Sequence, residues 1–362
     1  MIQGRSARLA ATITALALLG AGCGDSRGGE AEPLARPVGA ETDRLAPVSG
    51  SIKGSGASFP DAFYQEAVAG LHPVVPDLRV TYEAVGSSAG REAFGQGLND
   101  FAGTDSLVDE DDPIGRGEYR YIPAVAASIA VVYNLPGVTD LRLDPETLAA
   151  VFQADVRRWD DPAIVALNPE ADLPDRPIIV ARRADGSGTT KNFTRYLDRA
   201  APNWRLGGDD TVDWPASSEG GAQNTGVAQI VGDAVGAIGY LDYGNAHELH
   251  LDMAAIRNRA GSFVAPSIEG TRAAVAGSEP AGDLTYDPLD APGEAAYPIT
   301  APTYLLVRPR YGDRGTGTAV VGFVRWLITD GADTYGPDLG FAPLPTRFRE
   351  LALASLDRIE IG

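Results

Sequence analysis

Residues 177–190, PIIVARRADGSGTT, set the architecture. The stretch opens as a short apolar run of strand length and ends on two arginines, then turns into small and hydroxyl residues. Beyond it Phe193, Tyr196, Leu197 and Ala200 recur at i, i+3, i+4 and i+7, the core-facing stripe of a helix over 188–200. Strand, polar loop and helix in that order form the repeating unit of an α/β protein. Outward from it the alternation continues. Strand-like runs stand at 80–85 (VTYEAV), 129–134 (IAVVYN), 237–243 (AIGYLDY) and 303–308 (TYLLVR), and helical patterns cover 61–71, 145–153, 224–231 and 317–330. Residues 260–298, rich in Ala, Gly, Pro and acid, read as surface loops and short helices.

Four loops share one design, small and hydroxyl residues after a strand or before a helix: Gly54 to Pro60 (GSGASFP), Gly86 to Gly90 (GSSAG), Phe101 to Ser106 (FAGTDS) and Arg182 to Thr190 (RRADGSGTT). The first, second and fourth open helices. A helix N-terminus offers unpaired N–H donors and about half a positive charge, and glycine lets the backbone approach a bound anion. Hydroxyls add rotatable donors, and Arg183 is the obvious full positive charge. Taken singly, each loop is an ordinary N-cap. Asp105 taken alone caps the turn from Ser106 to Asp109 equally well.

Named motifs do not absorb these loops. Gly186 to Lys191 lacks the Gly-Lys-Ser/Thr of a P-loop, and Gly54 to Phe59 lacks the third glycine of a dinucleotide fingerprint. GSSAG matches G-x-S-x-G, so a secreted serine hydrolase with Ser88 as nucleophile is the alternative function. It would need an acid and a histidine downstream, where only His247 and His250 stand, and an oxyanion loop, for which no HGGG-type segment is found. His247-Glu248-Leu249-His250 has its second histidine one residue too soon for a zinc-protease helix and reads as a solvated turn, while His72 before Pro73 reads as a helix end.

With 362 residues the chain is sized for about two domains. Its 30 basic and 49 acidic residues give a net charge of −19, which would repel nucleic acid, and no run of about 18 apolar residues is present to span a bilayer. The one cysteine, Cys23, closes no intrachain disulfide. It follows Arg5, Arg8, the largely apolar Leu9 to Leu19 and the small residues Gly20, Ala21 and Gly22, the order of an export signal over 1–22. This resembles a bacterial lipoprotein signal that leaves Cys23 as a lipid-modified N-terminus, with Gly20 departing from the aliphatic residue preferred there. Residues 23–50 have the composition of a flexible tether.

The four loops together resemble the PstS family, the phosphate-binding proteins of phosphate-specific ABC transporters, from about Gly54 to near Ile359. Ile129 to Gly137 (IAVVYNLPG), Trp159 to Pro162 (WDDP), Leu167 to Pro169 (LNP), Gly236 to Tyr240 (GAIGY) and Tyr297 to Thr300 (YPIT) carry it further, and RRADGSGT is its most specific segment. The resemblance implies an α/β, two-lobed, type 2 periplasmic-binding-protein fold with the ligand cleft between the lobes. Lobe one would take 51–133 and 298–362, and lobe two 134–297. By position, the phosphate ligands would be Ser58, the backbone of Phe59, Ser87, Asp105, Arg183, Ser187, Gly188 and Thr189, with Asp185 orienting Arg183. Ala89, Thr104 and Ser58 are mild departures from the family pattern. The resemblance further implies no catalytic step, no cofactor and no metal. The chain is expected to act as an extracytoplasmic, lipid-anchored monomer, on the outer face of the cell membrane or in the periplasm, delivering inorganic phosphate to a membrane permease. A protonated relative such as arsenate would satisfy Asp105 equally; sulfate, without a proton, would not.

Overall fold

The computed structural model describes residues 37–362. The signal segment, Cys23 and the first part of the tether lie outside the described residues. Where composition predicts the rest of the tether, α1 (Ala40–Leu45) forms instead and leads straight into β1 (Gly50–Gly56). The Thr42 hydroxyl donates to Asp330 Oδ2 at 2.9 Å and accepts from the Trp326 indole at 3.1 Å. That attachment lies almost three hundred residues away in sequence, so no local pattern reports it.

One ten-stranded sheet runs through the molecule. After β1 come β2 (Leu78–Ala84), β3 (Phe101–Thr104), the long β4 (Arg120–Tyr133), β5 (Ile179–Arg183), β6 (Glu219–Gly221), β7 (Ala237–Asp242) and β8 (Thr300–Val307). Their spatial order is β2-β1-β3-β8-β4-β7-β5-β6, with two-residue strands at Ala342–Pro343 and Asp252–Met253 also paired to β4. β1, β2 and β3 are parallel, as are β5, β6 and β7, while β8 runs antiparallel to β3 and to β4. β4 belongs to both groups: Arg120 to Ser128 pair with β8, and Ile129 to Tyr133 pair with β7. Fully buried after its first residue, it carries a nearly unbroken apolar run. Only its second half reads as a strand in the sequence, because Pro123 interrupts the first, and the ladder slips there.

Four of the parallel strands deliver their loops to a helix: β1 to α2 (Asp61–Leu71), β2 to α3 (Ser87–Gly95), β5 to α4 (Gly188–Ala200) and β6 to α5 (Gln223–Asp233). α6 (Arg314–Trp326) packs on β1, and the helix expected to run to 330 passes at Leu327 into a wider π turn. Residues 260–298 hold a short strand and one helix, Ile268–Ala276, amid turns. Aromatic side chains pin both groups of strands. Phe59 meets Phe341 edge-on at 5.8 Å, and Phe101 meets Phe323 at 5.6 Å. On the other side Phe193 stacks on Tyr240 at 4.3 Å with Phe152 against both. The Phe193, Tyr196 and Leu197 stripe of α4 is wholly buried.

Candidate anion site

The loops that follow the carboxyl ends of β1, β2, β3 and β5 gather at one edge, where open α/β sheets take their ligands. Gly56 O accepts from the amides of Val85 and Gly86, both at 2.9 Å, and Ala57 N donates to Gly103 O at 2.9 Å. Thus the Ser58 loop, the start of α3 and the strand leading to Asp105 are tied together. Gly86 holds φ at +91°, in the region that favours glycine, and α3 begins immediately after it. Its N-terminus therefore includes Ser87 and Ser88.

α4 approaches from the other group of strands. A Cβ on Gly188 would lie 2.6 Å from Ser87 Oγ and 2.8 Å from Asp105 Cβ, so only glycine permits the contact. Ser187 Oγ caps α4 by accepting from Thr190 N at 3.2 Å. Ser87 Oγ accepts from Asp105 N at 3.2 Å, and Asn192 Nδ2 donates to Asp105 O at 2.6 Å. Ser58, Phe59, Ser87, Asp105, Arg183, Ser187, Gly188 and Thr189 are all buried. The Ser58 hydroxyl has no hydrogen-bond partner among the described residues, an uncommon state for a buried donor and one that suits a ligand.

Arg183, 3% exposed, donates from Nε to Asp185 Oδ1 at 2.9 Å and from Nη2 to Asp185 Oδ2, a bidentate pair that fixes the plane of the guanidinium. Nη1 donates to Asn224 Oδ1 at 2.9 Å, and Asn224 in turn donates to Asp242 Oδ2 at 2.9 Å. Burial opposes ionisation of Asp185, but its hydrogen bonds and the Arg183 charge overcome that and hold its carboxyl below the usual range. Burial pushes the Asp105 carboxyl up to about 7, against a hydrogen bond from Thr303 and the charge of Arg183; Asp242 and Asp210 add to the rise. Asp242 is likewise pushed up by burial, to about 6. Asp105 does not cap the turn at Ser106 to Asp109. Thr104 Oγ1 accepts from Ser106 N there, Asp112 accepts from Asp109 N, and Asp105 Oδ1 accepts from Thr303 across the sheet at 2.6 Å.

The family description of a PBP superfamily domain matches residues 41–331. The phosphate-binding protein PstS of Pasteurella multocida is 33% identical over 301 residues, covering 82% of this chain and 86% of its own. That of Methanocaldococcus jannaschii is 33% identical over 341 residues, covering 85% and 86%. The chain belongs to the PstS family. A solved high-affinity periplasmic phosphate-binding protein, PfluDING bound with phosphate, matches with a TM-score of 0.71 at 23% identity over 86% of this chain and 96% of that one, which establishes the shared two-lobed α/β fold.

As a PstS-family chain it gives no support to the hydrolase reading. His250 Nδ1 pairs with Glu248 O at 2.8 Å, His247 lies against Tyr243, and both histidines are exposed. Thr303, Asn224, Asp242 and Asn192 are not singled out by the sequence. A threonine fully buried in the apolar run of β8 is the one signal that points to any of them. Arg91 and Asp210, buried beside the site, escape sequence reasoning as well, since neither lies in a small-residue loop. Asp109, Asp209 and Asp210 bring carboxylate oxygens within 4.8 Å of one another, and Lys191 and Arg91 pair with them. No helix among the described residues is long and apolar enough to cross a membrane.

Proposed function

We propose that the chain captures inorganic phosphate outside the cytoplasm and delivers it to the permease of an ABC transporter, acting as a receptor and not as an enzyme. The observation that carries the reading is the buried Asp105 carboxyl standing beside the charge of Arg183 and the first residues of α3 and α4, Ser87 and Gly188, with the partnerless Ser58 hydroxyl on the loop tied to β3. An ordinary anion would meet repulsion there. Phosphate near neutral pH brings a proton of its own, which Asp105 accepts, while sulfate would leave two acceptors facing each other. Ser58, the Phe59 amide, Ser87, Arg183, Ser187, Gly188 and Thr189 would supply the remaining hydrogen bonds, and Asp185 would hold Arg183. The lobes would comprise 51–133 with 298–362, and 134–297, closing about the crossing strand β4, and the closed form would dock on the permease. Cys23 would carry the lipid that keeps a monomer at the membrane.

The test is calorimetric titration of the phosphate-stripped chain with phosphate and then sulfate, repeated on Asp105→Asn. Micromolar or tighter phosphate binding without a sulfate response is expected, with discrimination reduced in the variant. Binding of neither anion would sink the proposal.

A further inference from the structure

β8 brings to Asp105 one residue that no sequence pattern connects with it. Tyr304 pairs with Thr104 of β3, so Thr303, one residue earlier on an antiparallel strand, stands beside Asp105. On the other side of β8 the register slips. Pro302 opposes Ala126 and Tyr304 opposes Pro123, so the single residue Thr303 faces both Ala124 and Val125. A bulge of this kind re-aims a side chain and is common next to binding sites. Here the re-aimed hydroxyl is fully buried and donates to Asp105 Oδ1 at 2.6 Å.

We infer that Thr303 is a positioning residue that sets anion specificity: by donating to Oδ1 it keeps Asp105 an acceptor, so that the other carboxylate oxygen takes a hydrogen bond only from an oxyanion carrying its own proton. The inference rests on the phosphate reading above. Its reason is electrostatic. Burial is the largest influence on Asp105 and favours the neutral acid; the Thr303 hydrogen bond is the foremost opposing one, followed by Arg183 of β5. Asp242 at the end of β7 and Asp210 in the loop after α4 push the same way as burial. Tyr64 of α2, next to Thr303, and Tyr82 of β2 are buried phenols that stay neutral. Without the threonine hydroxyl Asp105 would hold its proton at higher pH and become a donor, and a donor suits sulfate as well as phosphate.

The experiment titrates the full chain, stripped of phosphate, with phosphate and with sulfate across the range from acid to alkaline pH, in wild type, Thr303→Val and Thr303→Ser. In wild type, sulfate binding should appear only on the acid side. In Thr303→Val its onset should move up by about one pH unit, with the preference for phosphate near neutrality falling roughly tenfold, the scale of one hydrogen bond to a charged group. Thr303→Ser should keep the wild-type profile. If Thr303→Val does not fold, Thr303→Ala removes the same hydroxyl and is read the same way. Equal weakening of both anions at every pH, or loss of selectivity in Thr303→Ser, would overturn the role of the hydroxyl while leaving the phosphate reading intact. Wild type binding neither anion would remove both.

Discussion

Two buried arginines lie at the same edge of the sheet, and they do different work. Arg91, 2% exposed, donates to Asp112 at 2.7 Å, to Asp210 at 2.7 Å, to Ser106 at 2.5 Å and to Thr104 at 3.3 Å. It is surrounded by acceptors, and the hydroxyls near it are turned to receive its N–H groups. Arg183 has one carboxylate, Asp185, one amide, Asn224, and at 3.5 Å the hydroxyl of Thr189. Gly86, just before α3, and Thr189, in the first turn of α4, lie beside Arg183, and the Ser58 hydroxyl, on the loop tied to both β3 and Gly86, has no partner among the described residues. Burying an arginine therefore does not by itself make an anion site; what the neighbouring groups leave unsatisfied does. Arg91 clamps α3 to the Asp210 loop that follows α4, joining the two groups of strands, and Arg183 is the arginine proposed to hold the anion.

Removing each charge in turn puts this contrast to its most severe test. Arg183→Met should abolish measurable phosphate binding by calorimetry, a loss of at least about 3 kcal/mol, with modest change in stability because Asp185 is partly exposed. Arg91→Met should do the reverse, costing about 3–5 kcal/mol of folding stability in denaturant titration, since Asp210 would be left buried, and Asp112 half-buried, without a counter-charge. If Arg91→Met instead lost phosphate binding at unchanged stability, the division of labour would be wrong.

Asp105 gives a pH signature of somewhat smaller size. Its folded-state pKa, about 7, lies above the ordinary carboxyl value of 3.8, so the native state keeps a proton that the unfolded chain releases. The stability this contributes is full below about pH 4 and is lost as pH rises through about 7. An asparagine side chain at that position would not titrate. Ligand-free Asp105→Asn should therefore gain on wild type by about 3 kcal/mol between roughly pH 5 and pH 8, read from urea midpoints at both pH values. A constant difference across that range would mean that Asp105 is ionised throughout.

Smaller effects refine the picture around Arg183. Asn224→Ala removes the acceptor at Nη1 and one donor to Asp242, and should weaken phosphate binding about tenfold in the same titration. Ser88→Ala should change stability and phosphate affinity by less than about 0.5 kcal/mol, because Ser88 carries no side-chain role in the site.

The four loops are legible because each carries its chemistry in contiguous residues: glycine, hydroxyls and a charge next to a helix start are local requirements, met within about nine positions. Asp185 beside Arg183 is legible for the same reason, two residues apart on one loop. The first half of β4 is hidden by Pro123, and α1 by a composition that looks like linker until Thr42 finds Asp330.

The α/β class, the small-residue loops at helix starts and the family they resemble all follow from the chain read alone, since backbone geometry and capping depend on neighbours in the chain. Which side chains meet was settled by folding: Thr303 reaches Asp105 across 198 positions, and Asp210 reaches Arg91 across 119. Hydrogen bonds between strands and loops that are adjacent in space and remote in the chain leave no periodic trace, because their partners are fixed by sheet order and register.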